Sequence, residues 1–260
     1  MKLKTLLTTM AVIAITLTSC GSNGSNDATS NGQMTSNEKV SSNEVVSSET
    51  SNKEMNSEVK SMTGEELEAL ENDNKEKDKV LVVDVRDENE YKQGHIKHAI
   101  NVPLDKIKED PEVLSDYKDF PVIVYCNTSK KSGEAADILS KNGYKDVTDA
   151  QGVKDYEYNN LVKYTNITAK EFLDMDKENA TIADARPEED YNNGHIENAV
   201  SVPFDKVDEN IDKVPEGKPV FTYCFTGNKS SELAQALTDK GYEVYNVIEG
   251  TKEYDYELVK

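Results

Sequence analysis

Cys224 is the residue whose surroundings best suit nucleophilic chemistry. It follows the apolar run 220–223, which is typical of a buried strand, and residues 231–237 have the spacing of a helix. A polar loop between a strand and a helix N-terminus offers unpaired backbone N–H groups and the positive end of the helix dipole. Because both stabilise an anion, we expect the Cys224 sulfur to be held as a thiolate, the nucleophilic form of cysteine.

The polar loop after Cys224 supplies the expected substrate contacts. Lys229 adds a positive charge, and Gly227 allows the loop to curl so that successive N–H groups point inward and form a nest for sulfur or an oxyanion. The candidate substrate-binding residues of this loop are Phe225, Thr226, Gly227, Asn228, Lys229 and Ser230.

The same pattern occurs a second time and makes Cys126 a second candidate catalytic residue. Cys126 follows the apolar run 122–125 and precedes helical spacing at 133–139. Lys131 lies five positions after Cys126, as Lys229 does after Cys224, and is a further candidate for substrate binding. Ser129 replaces the glycine of the other loop, so we expect the first loop to curl less easily into a nest.

Other interpretations of these side chains remain open. Either cysteine could be a buried structural thiol, since free cysteine packs as a small apolar side chain. Lys229 and Lys131 could be solvated surface charges. A disulfide between Cys126 and Cys224 is not expected, because equivalent loops of two domains rarely bring the Cα atoms within about 7 Å.

The elements that would position these loops are also repeated. Thr63 and Thr168 each begin a capping box, and the apolar runs 80–86 and 180–186 are typical of buried parallel strands. Strands that alternate with helices predict two α/β domains of about 100 residues each. Ligands of such sheets bind at the carboxyl ends of the strands, where the cysteine loops are expected.

A second signature follows the first strand of each copy. Asp84 and Arg86 recur as Asp184 and Arg186, and a Gly-His-Ile turn at 94–96 recurs 100 residues later. At strand ends, a structural ion pair is the expected role of the Asp and Arg residues rather than catalysis.

Together these motifs are similar to the rhodanese homology domain, here in tandem over about residues 61–260. The resemblance implies an α/β fold of two rhodanese-like domains, 61–163 and 164–260, each a mainly parallel sheet flanked by helices. It implies that His95 and His195 belong to a structural turn rather than to catalysis. It also implies that Cys224, in the second domain, is the more active cysteine.

The resemblance further implies a sulfurtransferase without a metal or organic cofactor. The cysteine would take a sulfane sulfur from a small-molecule donor such as thiosulfate, become a persulfide, and pass the sulfur to a thiol or cyanide. The loops 126–131 and 224–229 each span six residues, a length that suits sulfur chemistry in this family, whereas related phosphatase and arsenate reductase loops are one residue longer. The alternative is a non-catalytic rhodanese-fold module that binds a partner or senses oxidants at the cell surface.

The amino terminus resembles a bacterial lipoprotein signal. A basic start precedes the apolar run 10–17, which is too short to span a bilayer, and Leu-Thr-Ser-Cys-Gly at 17–21 resembles a lipobox. We expect a signal peptide at 1–19, a lipidated Cys20, and a flexible linker at 20–60 that is rich in Ser, Asn and Glu. The protein would then be extracytoplasmic and anchored to the cell membrane through the lipid alone. An ordinary cleaved signal with an incidental cysteine is the alternative.

Charge and composition indicate which kinds of partner and ligand are not expected. The formal net charge is −20, which disfavours nucleic acid as a partner. The spacing of His and Cys residues is not that of a zinc site, so no metal is implied. The sequence leaves the oligomeric state open.

Overall fold

Two α/β units follow one another in the computed structural model, which describes residues 58–260. The expected signal peptide 1–19, Cys20 and nearly all of the linker 20–60 lie outside these residues. Lys60, which we expected at the end of the linker, already begins the first strand.

The first unit is organised around a parallel sheet. Its strands are β1 (Lys60–Met62), β2 (Leu81–Asp84), β3 (His95–Ile96), β4 (Ile100–Asn101), β5 (Val122–Tyr125), β6 (Val147–Ala150) and β7 (Leu161–Val162). Its helices are α1 (Gly64–Asn72), α2 (Glu88–Gln93), α3 (Leu104–Glu109) and α4 (Lys130–Lys141), with 3₁₀ turns at Lys77–Lys79 and Ser115–Tyr117. The sheet has the order β1-β6-β5-β2-β4 with parallel pairing throughout, and β3 pairs with β7 in a separate antiparallel ladder.

The second unit repeats this arrangement. Its strands are β8 (Thr165–Ile167), β9 (Thr181–Asp184), β10 (His195–Ile196), β11 (Ala199–Ser201), β12 (Val220–Tyr223), β13 (Val244–Val247) and β14 (Leu258–Val259). Its helices are α5 (Ala169–Asp174), α6 (Glu188–Asn193), α7 (Val207–Asn210) and α8 (Asn228–Asp239), with a 3₁₀ turn at Ile211–Lys213. The parallel sheet has the order β11-β9-β12-β13-β8. Along residues 58–260, none of the helices is both long and apolar enough to span a bilayer.

The central strand of the first sheet is buried on both faces. Val122 and Val124 pack in the apolar cluster that includes α3 and α4, whereas Ile123 and Tyr125 pack in the cluster that includes α1. Side chains alternate between the faces of a strand, so an apolar run covered by helices on both sides packs in this way. The expected fold class, two mainly parallel α/β units flanked by helices, is therefore confirmed.

Both expected capping boxes are confirmed. The Glu66 N–H donates to the Thr63 hydroxyl over 3.3 Å, and the Thr63 N–H donates to the Glu66 carboxylate over 2.9 Å. Thr168 and Glu171 make the same pair of contacts over 3.1 and 2.8 Å. Each box satisfies two N–H groups at the start of a helix, so it fixes where α1 and α5 begin.

A buried polar network joins the two units. The Tyr91 hydroxyl accepts from the Asn166 N–H over 3.0 Å and donates to the Ala99 carbonyl over 2.9 Å. The Asn166 side-chain amide lies 3.4 Å from His95 Nε2, and the Tyr164 hydroxyl donates to the Lys97 carbonyl over 3.3 Å. Because buried polar groups need partners, this network fixes how the units pack.

Candidate active site

The two cysteines occupy equivalent places, one in each unit. Cys126 directly follows β5 and Cys224 directly follows β12, so each lies at the carboxyl end of a central parallel strand. Both are free thiols, and each residue is 2% exposed. The expected order of strand, cysteine, loop and helix is confirmed in both units.

The helices after the cysteines begin earlier than we expected. Helix α4 begins at Lys130 and α8 at Asn228, three residues before the expected starts. The residue before each helix, Ser129 or Gly227, has a left-handed backbone with φ of 56° or 76°, which turns the chain directly into the helix. Ser129 thus makes the same turn as glycine, although a non-glycine side chain disfavours that conformation.

A second turn in each unit, at residues 152–154 or 250–252, donates hydrogen bonds to the cysteine loop. The Thr251 N–H donates to the Cys224 carbonyl over 2.9 Å, and the Lys252 N–H donates to the Phe225 carbonyl over 3.0 Å. In the first unit, the N–H groups of residues 153 and 154 donate to the carbonyls of residues 126 and 127 over 3.0 and 2.9 Å. These bonds satisfy the carbonyl of each cysteine and the carbonyl of the residue after it.

The surroundings of the two sulfur atoms differ. The N–H and hydroxyl of Ser132 lie 3.4 and 3.3 Å from the Cys126 sulfur and donate to it. In the second unit, the Ser230 hydroxyl donates instead to the Gly227 carbonyl over 3.0 Å. Within residues 58–260, the Cys224 sulfur has no hydrogen-bond donor, and it packs in an apolar cluster.

The lysines expected to bind an anion lie at the surface in the first turn of each helix. Lys229 Nζ is 3.0 Å from Glu232 Oε1 and 4.1 Å from the centroid of the Phe204 ring, and its side chain is 47% exposed. Lys131 is also exposed. The role of both lysines in anion binding stays a prediction.

Two further loop residues expected to bind substrate, Phe225 and Thr226, contact charged groups from outside the loop. Phe225 lies beneath two cations, with Arg186 Cζ at 5.4 Å and Lys252 Nζ at 4.3 Å from its ring centroid. The Thr226 carbonyl accepts from Lys77 Nζ over 2.8 Å. Lys77 belongs to the first unit and was not among the predicted site residues. Its only distinguishing feature is burial, which the polar sequence around it does not reveal.

The repeated Asp and Arg residues form the expected structural ion pairs. Arg86 Nη2 lies 2.6 Å from Asp84 Oδ2, Arg186 makes the same contact with Asp184, and all four side chains are buried. Each aspartate also accepts from the tyrosine that precedes the cysteine of its own unit. Tyr125 donates to Asp84 over 2.8 Å, and Tyr223 donates to Asp184 over 2.7 Å. The pKa of Tyr125 lies well above its usual range, mainly because the residue is buried and secondly because of the Asp84 charge. The hydroxyl is therefore a fixed donor that ties the cysteine strand to its neighbour.

His95 and His195 occupy the expected structural turns. His95 Nδ1 is 3.1 Å from the Tyr91 carbonyl oxygen, and its ring stacks on the Tyr91 ring at 3.6 Å. His195 makes the same contacts with Tyr191. Burial lowers the pKa of His95 to about 3, so its ring is neutral at physiological pH.

Comparison with protein families gives two matches along the chain. Residues 64–154 and 168–257 each match the rhodanese-like domain. These two matches together span more than half of the chain, and each contains one of the two cysteines.

Several curated bacterial proteins resemble one part of the chain. Thiosulfate sulfurtransferase PspE of Escherichia coli is 44% identical over 73 residues, which are 28% of this chain and 70% of that protein. Thiosulfate sulfurtransferase GlpE of Coxiella burnetii is 39% identical over 75 residues, 28% of this chain and 70% of that protein. The uncharacterized protein YqhL of Bacillus subtilis is 39% identical over 74 residues, 28% of this chain and 57% of that protein.

Two solved structures also match parts of the chain. A thiosulfate sulfurtransferase from Pseudomonas aeruginosa covers 77% of this chain and 43% of its own, with 21% identity and a TM-score of 0.35. A rhodanese from E. coli covers 32% of this chain and 98% of its own, with 40% identity and a TM-score of 0.30.

Proposed function

The chain belongs to the rhodanese family, with two tandem rhodanese-like domains, and we propose that it transfers a sulfane sulfur through a cysteine persulfide. The observation that carries this proposal is the repeated position of a free cysteine at the carboxyl end of a central strand, directly before a helix N-terminus. The thiosulfate sulfurtransferases among its relatives support the same reaction class.

The proposed reaction has two steps. The cysteine thiolate attacks the outer sulfur of thiosulfate, a new S–S bond forms, and sulfite leaves with the electron pair of the broken S–S bond. A thiol or cyanide then attacks the terminal sulfur of the persulfide and regenerates the thiolate. With cyanide the product is thiocyanate, and the cycle needs no outside oxidant or reductant.

Both cysteines are proposed as sulfur carriers. The greater activity of Cys224 stays a prediction, as the sequence suggested. The two donors from Ser132 favour an anionic sulfur at Cys126 as well, because hydrogen bonds to a charged acceptor stabilise it.

Intact-protein mass measurement after incubation with thiosulfate tests the proposal. The wild type should gain the mass of one or two sulfur atoms and lose it on addition of cyanide, while each single variant, Cys224→Ser or Cys126→Ser, should lose one adduct. The double variant should gain none. If neither cysteine of the wild type gains sulfur from thiosulfate, polysulfide or a persulfide donor, the proposal is wrong.

One observation favours a second function for the second domain. The Cys224 sulfur is buried in an apolar cluster and has no donor within the described part of the chain, as expected of a binding module in which the cysteine is a structural thiol. Such a thiol would react slowly with iodoacetamide at neutral pH and would form no persulfide. Site-resolved alkylation and persulfide mapping at Cys224 by peptide mass spectrometry separate the two functions.

We also propose that the protein is extracytoplasmic and anchored to the bacterial membrane by a lipidated Cys20. The sequence around that residue supports the proposal. Fractionation of cells that express the wild type and Cys20→Ser tests it, since only the wild type should remain with the membrane after a salt wash.

A further inference from the structure

We propose that the first domain contributes Lys77 to the Cys224 site as a positioning residue for sulfur transfer. This proposal rests on the function proposed above, which it extends from the cysteine loop to a residue of the other domain. It gives the first domain a direct part in the chemistry of the second.

Lys77 is a buried cation held against the loop that follows Cys224. Its side chain is 4% exposed, and Nζ donates to the Thr226 carbonyl oxygen over 2.8 Å, across 149 positions of sequence. Lysine is almost never fully buried unless it is paired. The partners of this ammonium are the Thr226 carbonyl and the neighbouring Asp78 carboxylate.

A second contact joins the same two segments. The Asn228 side-chain amide donates to the Asn74 carbonyl over 3.4 Å and to the Thr226 hydroxyl over 3.0 Å. Asn228 is 9% exposed, and its Oδ1 atom has no partner within residues 58–260. Residues 74–77 of the first domain therefore contact two of the residues expected to bind the substrate.

The loop's own lysine does not occupy this position. Lys229 is directed to Glu232 and to the face of the Phe204 ring, at the surface. Lys77 is therefore a buried positive charge next to the Cys224 loop, as is Arg186, which lies over the Phe225 ring and is paired with Asp184. Lysine charge beside a cysteine favours the thiolate, and it equally favours the anionic persulfide.

The repeat provides a direct comparison. Lys177 lies 100 positions after Lys77, the offset that separates β2 from β9, but its Nζ donates to the carbonyls of Phe172, Leu173 and Met175 and lies over the Phe172 ring. The Cys126 loop contacts an acidic residue instead, since the Asn127 amide donates to Glu90 over 2.7 Å. The contact of a buried lysine with a cysteine loop is thus specific to Cys224.

The geometry indicates how Lys77 acts through the loop. A trans peptide group is planar, and its C=O and N–H point in opposite directions. When Lys77 holds the Thr226 carbonyl towards the first domain, it turns the Gly227 N–H away from that domain. The contact thus fixes one amide of the loop that follows Cys224.

Alkylation of the full-length protein by iodoacetamide tests the proposal. Site-resolved mass spectrometry gives the rate at Cys224 as a function of pH, with Cys126 as the internal reference. Lys77→Gln, which keeps a donor but loses the charge, should slow alkylation of Cys224 at pH 7 by about three- to tenfold and move its pH profile upward. Lys77→Arg should restore most of the rate, and Lys177→Gln should change neither cysteine.

Steady-state transfer from thiosulfate to cyanide gives a second readout. Lys77→Gln should raise KM for thiosulfate and lower the turnover carried by Cys224, measured in the Cys126→Ser background. If Lys77→Gln does not fold, Lys77→Met, which also lacks the charge, decides the question. An unchanged pH profile and KM in Lys77→Gln, or an equal effect in Lys177→Gln, overturns the proposal. A shifted alkylation profile in a protein that forms no persulfide would show that Lys77 acts on the Cys224 site, and it would reject sulfur transfer as the reaction that this site carries.

Discussion

The Ser132 hydroxyl oxygen lies 3.3 Å from the Cys126 sulfur and donates to it, whereas Ser230, its counterpart in the second domain, donates to the Gly227 carbonyl instead. The two cysteines thus share a position in the fold but differ in their polar contacts. A hydroxyl that donates to a thiolate stabilises it relative to the thiol. The Ser132 contact therefore gives Cys126 an anion-stabilising donor that Cys224 lacks within the described residues.

Ser132→Ala should slow the alkylation of Cys126 at pH 7 by about tenfold. A hydrogen bond to a charged group contributes about 1.5 kcal/mol, and a tenfold change in the thiolate fraction corresponds to about 1.4 kcal/mol. Site-resolved alkylation by iodoacetamide measures the effect. Ser230→Ala is the matched control and should leave the Cys224 rate within about twofold, because its hydroxyl does not contact that sulfur. Equal effects of the two variants on their cysteines would contradict this assignment.

Asp149→Asn should stabilise the first domain at neutral pH. Asp149 lies in β6 beside the cysteine helix, and burial raises the pKa of its carboxyl above the usual value. A carboxyl whose folded pKa is raised supports folding when protonated at low pH, and that contribution is lost as pH rises through the folded pKa. The variant should therefore melt at a higher temperature than the wild type at pH 7, and the difference should shrink as pH falls towards the unfolded value of 3.8.

Thermal unfolding at several pH values measures this difference. Asp137→Asn, on the exposed face of α4, is the control and should change the melting temperature little at any pH. The second sheet has an uncharged residue at the equivalent position. Asn246 of β13 lies opposite Thr222 of β12 in the strand register, as Asp149 of β6 lies opposite Val124 of β5. A lower melting temperature for Asp149→Asn at pH 7 would show that the hydrogen bond from Ser132, which lowers the pKa of this carboxyl, outweighs burial.

Local patterns predicted the parts of the site that neighbouring residues determine. The capping box at Thr63, the strand before Cys224 and the buried pair of Asp84 with Arg86 each depend on residues within a few positions of one another. Their physics is local, so spacing and side-chain type were sufficient to predict them.

The other features of the site depend on contacts that residue spacing does not determine. Lys77 reaches the Thr226 carbonyl only because the two domains pack together, and the sequence places 149 positions between these residues. The orientation of Lys229 depends on competition between Glu232 and the expected anion, which a repeat pattern cannot settle. The left-handed turn at Ser129 was missed because glycine is the usual residue there, whereas here a serine has a φ of 56°.

His95 should make the protein less stable in acid. Its folded pKa of about 3 lies below the unfolded value of 6.5, so the unfolded chain binds a proton in this range that the native state does not. Stability is full above pH 6.5 and falls as the pH drops towards 3. For one proton the slope is about 1.4 kcal/mol per pH unit, or about 2 kcal/mol between pH 6.5 and 5.

Chemical unfolding of His95→Phe at pH 7 and pH 5 measures this contribution. Phenylalanine keeps a ring on Tyr91 but cannot titrate, so the loss of stability between the two pH values should be smaller than in the wild type by about 2 kcal/mol. His195→Phe is the matched control, because its ring stacks on Tyr191 in the same way but is only half-buried. A resonance of the His95 ring that titrates near pH 6.5 would contradict the prediction.

Gly250→Ala should disable the Cys224 site and spare Cys126, and Gly152→Ala should do the opposite. A Cβ at Gly250 would overlap the Phe225 carbonyl, and one at Gly152 would overlap the Asn127 carbonyl, so each substitution must displace one cysteine loop. Overpacking against backbone costs about 1–3 kcal/mol, because the backbone cannot move aside as a flexible side chain would. Persulfide formation resolved by peptide mass spectrometry should therefore fall at one cysteine in each variant. Loss at both cysteines in either variant would show that the two loops are mechanically coupled through the domain contact rather than independent.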